Sequence, residues 1–315
     1  KQALNLLMKD ILIIGGSNID YAAVSAHTLI PNDSNIGKLK TSYGGVGRNT
    51  VENLARLKDK VSFITAIGDD AYGQRLKCEL RKLDVKLYTP SYHGPSSSYL
   101  AIYDSNHDMY VAVCDTAILD KMKYSDIIPF RKVIEKHHNI VLEANINQDV
   151  IDHLFQDYFS HRFYVEAVSA NKVTRFKKHL KKIHLFKSNL LEAKYLLEME
   201  GSPSELATEL MKRGVKNVII TNGSNPIIIG SNNAIEEVKV NKLDKIVSAN
   251  GAGDALFAGI LHGLHNSMSL KEAVEFGTKM SALALQTTKA VNPDVINLVS
   301  EEVKKPKNKN SCCST

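Results

Sequence analysis

Short apolar runs alternate with amphipathic segments in the first quarter of the chain. Residues 10–16 and 61–68 are apolar runs that end in glycine, which is typical of buried strands with a tight exit. Residues 49–57 and 74–83 carry apolar side chains at helical spacing. The order strand, helix, strand, helix indicates a parallel sheet with helices packed on its faces.

The pattern changes between residues 86 and 114. Residues 98–103 and 109–113 alternate with a period of two, and a turn-like polar stretch separates them. We expect a hairpin here that joins part of residues 17–45 in a small β lid beside the main sheet. A lid of this kind excludes water from a reaction site.

The alternation of strands and helices resumes after the hairpin, without an internal repeat or an interdomain linker. We therefore expect one α/β domain over residues 1–303, with a mostly parallel sheet and the small β lid. Residues 304–315 are rich in Lys, Asn and Ser and predict a basic, disordered tail. The other strands are predicted at 140–143, 163–168, 184–186, 218–221 and 226–229, and the other helices at 149–159, 173–180, 190–198, 204–213, 252–264 and 270–286.

Composition and charge place the chain in the ordinary globular class. Its 315 residues are 43% hydrophobic and 23% charged. The formal net charge is +6, and four lysines in residues 304–309 supply much of it, so we expect no nucleic-acid partner. The sequence shows neither a signal peptide nor an apolar run of about 18 residues, so we expect a cytoplasmic protein without a membrane partner.

The four cysteines suggest neither a metal site nor a disulfide framework. Cys78 and Cys114 are isolated, and no C-x-x-C pair occurs. Free thiols fit a reducing compartment. Cys312 is the fourth residue from the end, as in a prenylation motif, but the residues after it are not aliphatic, which favours a plain disordered tail.

Gly251, Ala252, Gly253 and Asp254 begin a long apolar helix. The backbone N–H groups and partial positive charge of a helix start attract anions, and glycine lets an anion approach closely. A carboxylate at that position can take a proton from a hydroxyl that attacks phosphorus. The motif therefore predicts phosphoryl transfer. The alternative is that Asp254 is merely stabilised by the helix dipole.

Gly44, Gly45 and Asn49 form a second motif at a predicted helix start. It is not a dinucleotide fingerprint, because Thr50 stands where the third glycine is required, and no P-loop sequence occurs. The glycine pair lets a ligand approach the backbone, and Asn49 offers an amide beside it. The alternative is that Asn49 is a plain N-cap.

Two further motifs lie where predicted strands end. Asn189 and Glu192 share the first turn of a helix, where an amide and a carboxylate can hold hydrated Mg²⁺ near phosphates. The alternative for this pair is a capping box. Thr221 and Gly223 follow the next strand, at the edge of an open α/β sheet where ligands bind, and the alternative there is a plain turn.

Taken together, these motifs resemble those of the ribokinase-like (PfkB) carbohydrate and nucleoside kinases over residues 10–290. The resemblance implies a three-layer α/β/α fold with a mostly parallel sheet and a small β lid. It also implies ATP and Mg²⁺ as cofactors. Asp254 would then be the catalytic base, and Gly251, Ala252 and Gly253 would form the anion hole.

The same resemblance assigns the binding residues. Glu192 would reach Mg²⁺ indirectly, through water. The residues that bind ATP and Mg²⁺ would be Lys187, Asn189, Glu192, Thr221 and Gly223, and those that bind substrate would be Asn18, Asp20, Asn35, Gly44, Gly45 and Asn49.

The likeness is strongest to nucleoside kinases of the family, on residues 15–20, 33–37 and 44–57. It implies phosphorylation of the 5′-hydroxyl of pseudouridine, with adenosine or ribose as alternative substrates and a non-catalytic nucleoside sensor as a further alternative. A homodimer through the lid is also expected. Residues 248–250 depart from the family because no acidic residue precedes the anion hole, which leaves potassium activation open.

Overall fold

Two β-sheets organise the structure. The computed structural model describes residues 10–240 and 243–303. Within these ranges, nine strands form the main sheet: β1 (Ile11–Ile14), β4 (Val61–Ile64), β5 (Lys86–Tyr88), β8 (Asn139–Glu143), β9 (Arg162–Glu166), β10 (Ile183–Asn189), β11 (Asn217–Thr221), β12 (Ile227–Ser231) and β13 (Ala234–Val238). Four further strands form the small sheet: β2 (Asn18–Ser25), β3 (Gly37–Gly44), β6 (Ser98–Tyr103) and β7 (Met109–Asp115).

The main sheet is mostly parallel, as predicted. Its order is β13-β12-β11-β10-β9-β8-β1-β4-β5, and among the described strands of this sheet only the pairs β11–β12 and β12–β13 are antiparallel. Alternate residues of β1 enter different cores, with Leu12 and Ile14 on one side and Ile11 and Ile13 on the other. The sheet is therefore the middle of three layers.

The small sheet is the predicted lid, built from two separate segments of the chain. Its order is β3-β2-β6-β7, with β2 and β6 parallel and the other neighbours antiparallel. The short strand β5 instead pairs with β4 in the main sheet. The second half of the lid thus begins only at Ser98.

Helices pack on both faces of the main sheet, since Val51 and Leu154 belong to the two different cores. None of the helices in the described ranges is long and apolar enough to cross a membrane. The α-helices are α1 (Val46–Arg56), α2 (Ala71–Lys82), α3 (Ala117–Lys121), α4 (Tyr124–Ile127), α5 (Arg131–Lys136), α6 (Gln148–Asp157), α7 (Ala170–Val173), α8 (Leu190–Leu197), α9 (Pro203–Lys212), α10 (Ala252–His265), α11 (Leu270–Ala284) and α12 (Ile296–Val303), and 3₁₀ turns occupy Ile128–Phe130, Thr174–Lys182 and Pro293–Val295.

The structure also differs from the predicted elements at residues 173–180 and in several short segments. Residues 173–180 form mainly a 3₁₀ segment rather than an α-helix, although Phe176 and Leu180 are buried as their spacing suggests. Two buried apolar residues four positions apart do not distinguish the hydrogen-bond pattern of an α-helix from that of a 3₁₀-helix. The elements α3 to α5, α12 and β13 have no sequence prediction, because short segments give weak periodicity. The predicted tail, with Cys312, lies outside the described residues.

The carboxyl ends of the parallel strands meet at one edge, where ligands bind in open α/β sheets. The strand register places Glu166 of β9 beside Lys187 of β10, and Asn189 of β10 beside Thr221 of β11. The start of α10 lies at the same edge, because a Cβ added to Gly253 would be 3.2 Å from Nζ of Lys187. The fold thus brings together motifs that are far apart in sequence.

Candidate active site

The start of α10 presents backbone N–H groups suited to an anion. Gly251 caps the helix with φ 76°, and a Cβ there would lie 2.0 Å from the carbonyl oxygen of Ala290, so glycine is required. Within the described residues, the N–H groups of Gly253 and Asp254 have no hydrogen-bond acceptor, while that of Ala252 reaches a carbonyl oxygen at 3.4 Å. This geometry fits the predicted anion hole.

Asn49 of α1 reaches Asp254 of α10 across the site. Its Nδ2 donates a hydrogen bond to Oδ2 of Asp254 at 2.7 Å. The interpretation of Asn49 as a plain N-cap is wrong, because α1 begins at Val46 and Gly45 is its N-cap. Gly45 has φ 98°, a conformation that favours glycine. Because glycine has no side chain, the helix start has no side-chain cap. The Asn49 amide is therefore available to the site.

Opposing effects act on the pKa of the Asp254 carboxyl group, and the net result is a raised pKa. Burial raises the pKa of its carboxyl group above the ordinary value, whereas the Asn49 hydrogen bond and the charges of Lys187 and Arg48 lower it. The residue is only partly buried, so small molecules can reach it. An ionised carboxylate with a raised pKa is the better proton acceptor.

Lys187 forms a buried ion pair behind the anion hole. Its Nζ lies 2.7 Å from Oε1 of Glu166, and both side chains are nearly inaccessible to solvent. Burial by itself lowers the pKa of Lys187, but the negative charges of Glu166, Glu192 and Asp254 raise it above the ordinary value. Burial also raises the pKa of Glu166, and the charge and hydrogen bond of Lys187 oppose that rise. Lys187 thus keeps a positive charge beside Gly253, where an anion would lie.

Asn18, Asp20 and Gly44 meet where the lid joins the main body. The Asn18 side chain donates to Oδ1 of Asp20, and Asn18 pairs with Gly44 in the sheet. A Cβ on Gly44 would lie 2.1 Å from Oδ2 of Asp20, so glycine leaves room for the carboxylate. Burial raises the pKa of Asp20 to about 6, while Asn18 and Arg48 lower it and Asp254 raises it. Asp20 and Asp254 are thus electrostatic neighbours.

Asn35 is the predicted substrate residue that the structure does not bring to this site. The Asn18 end and the Ser25 end of strand β2 are roughly 23 Å apart at the usual rise per residue, and Asn35 lies beyond the Ser25 end. Its side chain accepts from the N–H of Ile30 at 2.8 Å and donates to carbonyl oxygens of Ile30 and Asp33 at 3.0 Å. Asn35 therefore shapes the exposed loop between β2 and β3.

Asn189 and Glu192 form the capping box that the sequence offers as an alternative. Oδ1 of Asn189 accepts from the Glu192 N–H at 2.8 Å, and Oε2 of Glu192 accepts from the Asn189 N–H at 2.7 Å. The described residues provide no hydrogen-bond donor to Oε1 of Glu192. Capping and ligand binding are thus compatible, because they would use different oxygens of the same carboxylate.

A groove of about 400 Å³ runs past the start of α8 and the end of β11. Thr221 lies there beside Asn189, and its hydroxyl is 3.4 Å from the carbonyl oxygen of Ser188. Gly223 follows in a turn with φ 57°, and no atom of the described part of the chain lies within 4 Å of the position that a Cβ would take. The groove is thus lined by three of the five predicted ATP-binding residues, Asn189, Thr221 and Gly223, whereas Lys187 and Glu192 are buried beside it.

A buried polar network beside Gly15 and Gly16 has no role predicted from the sequence. Glu143 is buried and accepts from the N–H of Gly16 and, at 2.9 Å, from that of Asn145. Lys172 donates to Oδ1 of Asn145 at 2.6 Å. Burial raises the pKa of Glu143 to about 7. The available signal was a carboxylate at the end of an apolar strand, which is where sheet-edge sites lie.

The residues fit a Mg²⁺ ion that arrives on phosphates rather than one held by a protein cage. The described part of the chain holds no cluster of three or more His, Cys, Asp or Glu side chains that could bind a metal. Oε1 of Glu192 is one available carboxylate oxygen near Lys187. One carboxylate together with phosphate oxygens and water is a usual coordination for Mg²⁺.

Comparisons with known proteins place relatives of the chain among carbohydrate and nucleoside kinases. Residues 8–296 match the family model described as pfkB family carbohydrate kinase. The chain is 30% identical over 304 residues to pseudouridine kinase from Escherichia coli (strain K12), covering 92% of this chain and 95% of that protein. It is 24% identical over 294 residues to guanosine-inosine kinase from Exiguobacterium acetylicum, covering 89% and 96%.

Solved structures confirm the predicted ribokinase-like fold. A putative sugar kinase from Clostridium perfringens superposes with a TM-score of 0.82 and 26% identity, covering 93% of this chain and 95% of that chain. Ribokinase from Thermotoga maritima superposes with a TM-score of 0.82 and 18% identity, covering 92% and 99%. Because the ribokinase from Thermotoga maritima is only 18% identical to this chain, its similarity supports the fold alone.

Proposed function

Since the chain belongs to the pfkB family of carbohydrate kinases, we propose that it transfers the γ-phosphoryl group of ATP to the 5′-hydroxyl of pseudouridine. The observation that carries the proposal is the contact between Asn49 and Asp254 beside the N–H groups of α10. The carboxylate of Asp254 can accept a proton there, and the neighbouring N–H groups can donate hydrogen bonds to a phosphate. The choice of pseudouridine draws on the relative of that name.

Asp254 is the general base in this proposal. Its carboxylate takes the proton of the 5′-hydroxyl, while the hydroxyl oxygen forms a bond to the γ-phosphorus. The bond between the γ-phosphorus and the β,γ-bridging oxygen breaks, and ADP leaves. Asn49 donates to Oδ2 of Asp254, which leaves Oδ1 to accept the substrate proton in this proposal.

Backbone N–H groups and Lys187 stabilise the transferring phosphoryl group. The N–H groups of Gly253 and Asp254 are fixed by the helix and need no rearrangement during reaction. Lys187 lies beside Gly253 and carries a positive charge that its neighbours favour. Bound Mg²⁺ would neutralise charge on the phosphates, with Asn189 and Glu192 holding it through water.

The sugar hydroxyls of the acceptor bind at the hinge between lid and body. Asn18, Asp20 and Asn49 offer both donors and acceptors there, a combination that suits a diol. Gly44 and Gly45 leave space beside Asp20 and Asn18, because any Cβ at these positions would collide with them. The lid then covers the base.

A coupled assay of ADP release across nucleosides tests the proposal. Pseudouridine, uridine, adenosine, guanosine, inosine and ribose are compared by kcat/KM. We expect pseudouridine to be preferred over uridine, since only pseudouridine has the extra ring N–H that a polar pocket can bind. Preference for another nucleoside or for ribose would refute the substrate assignment. Nucleoside binding without ADP release would identify a non-catalytic sensor.

The lid also supports the expected homodimer. Leu39, Leu100, Val111 and Val113 project from one lid face and are 36% to 67% exposed. Contiguous exposed apolar side chains are typical of an interaction surface. We expect sedimentation to show a dimer that Val113→Glu converts to a monomer. A wild-type protein that sediments as a monomer at every concentration would contradict this.

A further inference from the structure

Arg48 joins the lid to the helix that carries Asn49. The residue is 8% exposed. Its Nη1 donates to the carbonyl oxygen of Tyr43 at 2.6 Å and to Oδ1 of Asn49 at 2.8 Å. Its Nη2 forms an ion pair with Glu52. One side chain therefore connects the end of lid strand β3, the amide of Asn49 and the next turn of α1.

The contact with Arg48 decides the orientation of the Asn49 amide group. A guanidinium group only donates hydrogen bonds, so the Asn49 atom that faces it must be the accepting Oδ1. Nδ2 then points the other way and donates to Asp254 at 2.7 Å. If the amide were reversed, its oxygen would face a carboxylate oxygen, and neither atom could donate.

Glu52, the ion-pair partner of Arg48, is itself held in place by Arg56. Oε1 of Glu52 accepts from Nε and Nη2 of Arg56 at 2.9 and 2.7 Å. Arg48, Glu52 and Arg56 are four residues apart and so share one face of α1. The planar fork of an arginine can serve three acceptors in fixed directions, whereas lysine offers a single nitrogen on a flexible chain.

Arg48 also contributes charge to the site. Burial raises the pKa of both Asp20 and Asp254, and the positive charge of Arg48 lowers both. The charged groups that face Asp254 are Arg48 from α1, Lys187 from β10, Glu166 from β9 and Asp20 from β2. Removal of Arg48 leaves Lys187 as the remaining cation in this group.

We propose that Arg48 is a positioning residue for phosphoryl transfer, which orients the Asn49 amide toward Asp254 and ties that contact to lid strand β3. The inference rests on the proposed function, because that function makes Asp254 the base. It assigns a role to the position between Gly47 and Asn49, which no part of the mechanism above uses.

Steady-state kinetics of Arg48→Met and Arg48→Lys test the proposal, with the acceptor that the nucleoside assay identifies. Arg48→Met should lower kcat/KM for the acceptor roughly 10- to 100-fold, the usual effect of losing a hydrogen bond to a charged group. The KM for ATP should stay within about threefold of wild type. Arg48→Lys keeps the charge but not the planar fork of the guanidinium, so it should lose at least about tenfold in kcat/KM, with the melting temperature measured to show that the variant is folded.

A double-mutant cycle with Asn49→Ala shows whether Arg48 acts through Asn49. If it does, Arg48→Met should cost no more than about threefold in the Asn49→Ala background. The matched control is Arg213→Met, which removes the arginine at the C-terminal cap of α9, paired with Glu209 four residues earlier and outside the residues assigned to the site. Multiplicative losses, or wild-type kinetics in Arg48→Lys, would overturn the proposal.

A measurement without turnover separates this inference from the proposed function. Carboxyl resonances of ¹³C-labelled aspartates are titrated in the free protein, and Asp254→Asn identifies the signal of Asp254. Arg48→Met should raise the pKa of Asp254, and Arg48→Lys should raise it less. An unchanged titration refutes the role of Arg48 even if the enzyme phosphorylates nucleosides. Failure to phosphorylate any acceptor refutes the proposed function but leaves this result valid.

Discussion

Helix α10 meets the segment around α1 at two polar bridges. At its start, Asn49 donates to Asp254 at 2.7 Å. Near its end, Nδ1 of His262 lies 2.7 Å from Oδ2 of Asp59. The two bridges are about 12 Å apart along the helix axis, since eight residues separate Asp254 from His262. Both connect the same parts of the chain, but their surroundings differ.

We call the His262–Asp59 bridge closed because both of its side chains are buried, and the Asn49–Asp254 bridge open because Asp254 is partly exposed. The side chains of His262 and Asp59 are each 6% exposed, and the His262 ring stacks on Phe276 with 5.1 Å between ring centroids. Asp254 is instead partly exposed, beside N–H groups that have no acceptor among the described residues. A buried polar pair is therefore not a sign of catalysis in itself. The difference lies in a reachable carboxylate and in donors that await an anion.

Asp254→Asn gives the largest effect and tests the open bridge. Loss of the base should reduce kcat on the order of 10²–10⁴-fold, while nucleotide binding and the melting temperature change little. Rapid-quench or coupled kinetics measure the first effect, and calorimetry measures the others. A variant with near-normal kcat would show that Asp254 is not the base.

His262→Leu tests the closed bridge and should affect stability instead. It leaves Asp59 buried without its partner, which should cost about 3 kcal/mol in the free energy of unfolding. The kcat measured well below the melting temperature should stay within about twofold of wild type. A large loss of kcat with unchanged stability would mean that the two bridges are functionally coupled.

Gly251→Ala should disturb the open bridge through its backbone. A left-handed conformation costs a residue with a Cβ about 1–2 kcal/mol, and the added Cβ would also lie 2.0 Å from the carbonyl oxygen of Ala290. Gly223→Ala is the matched control for unfolding, because Gly223 is also left-handed but has open space around it. Chemical denaturation should show the larger loss at Gly251, and equal losses would contradict the steric argument.

Asn18→Ala should give the smallest effect, a shift in pH dependence. Burial raises the pKa of Asp20 to about 6, and the Asn18 hydrogen bond lowers it. Without that bond the acid limb of kcat/KM should move to higher pH by about half a unit to one unit. An unmoved acid limb would show that Asp20 does not control it.

The same group predicts the sign of the stability change with pH. Burial raises the pKa of Asp20 in the folded protein to about 6 from its ordinary value of 3.8, so the folded protein binds the proton more tightly than the unfolded chain does. This contribution to stability is present below about pH 4 and is lost as pH rises toward 6. Asp20→Asn should remove that dependence, and denaturation at several pH values measures it.

Much of the fold follows from residue patterns that act over short distances. The apolar run at residues 10–16 forms a strand because it is buried on both faces of the sheet. The start of α1 was predicted three residues late, because Gly45 caps it by backbone conformation alone. The hydrogen-bond pattern at residues 173–180 and the loop role of Asn35 likewise depend on neighbours that periodicity does not reveal.

Local sequence is enough to establish the alternating α/β order, the glycine-rich start of α10 and the presence of a carboxylate there, because each depends on backbone preferences and burial of nearby residues. Only packing decided which groups meet that carboxylate. Asn49 is 205 residues away from Asp254, and Arg48 orients it only because α1 lies against both α10 and the lid. Hydrogen bonds act over about 3 Å, so such partners are chosen by the tertiary fold.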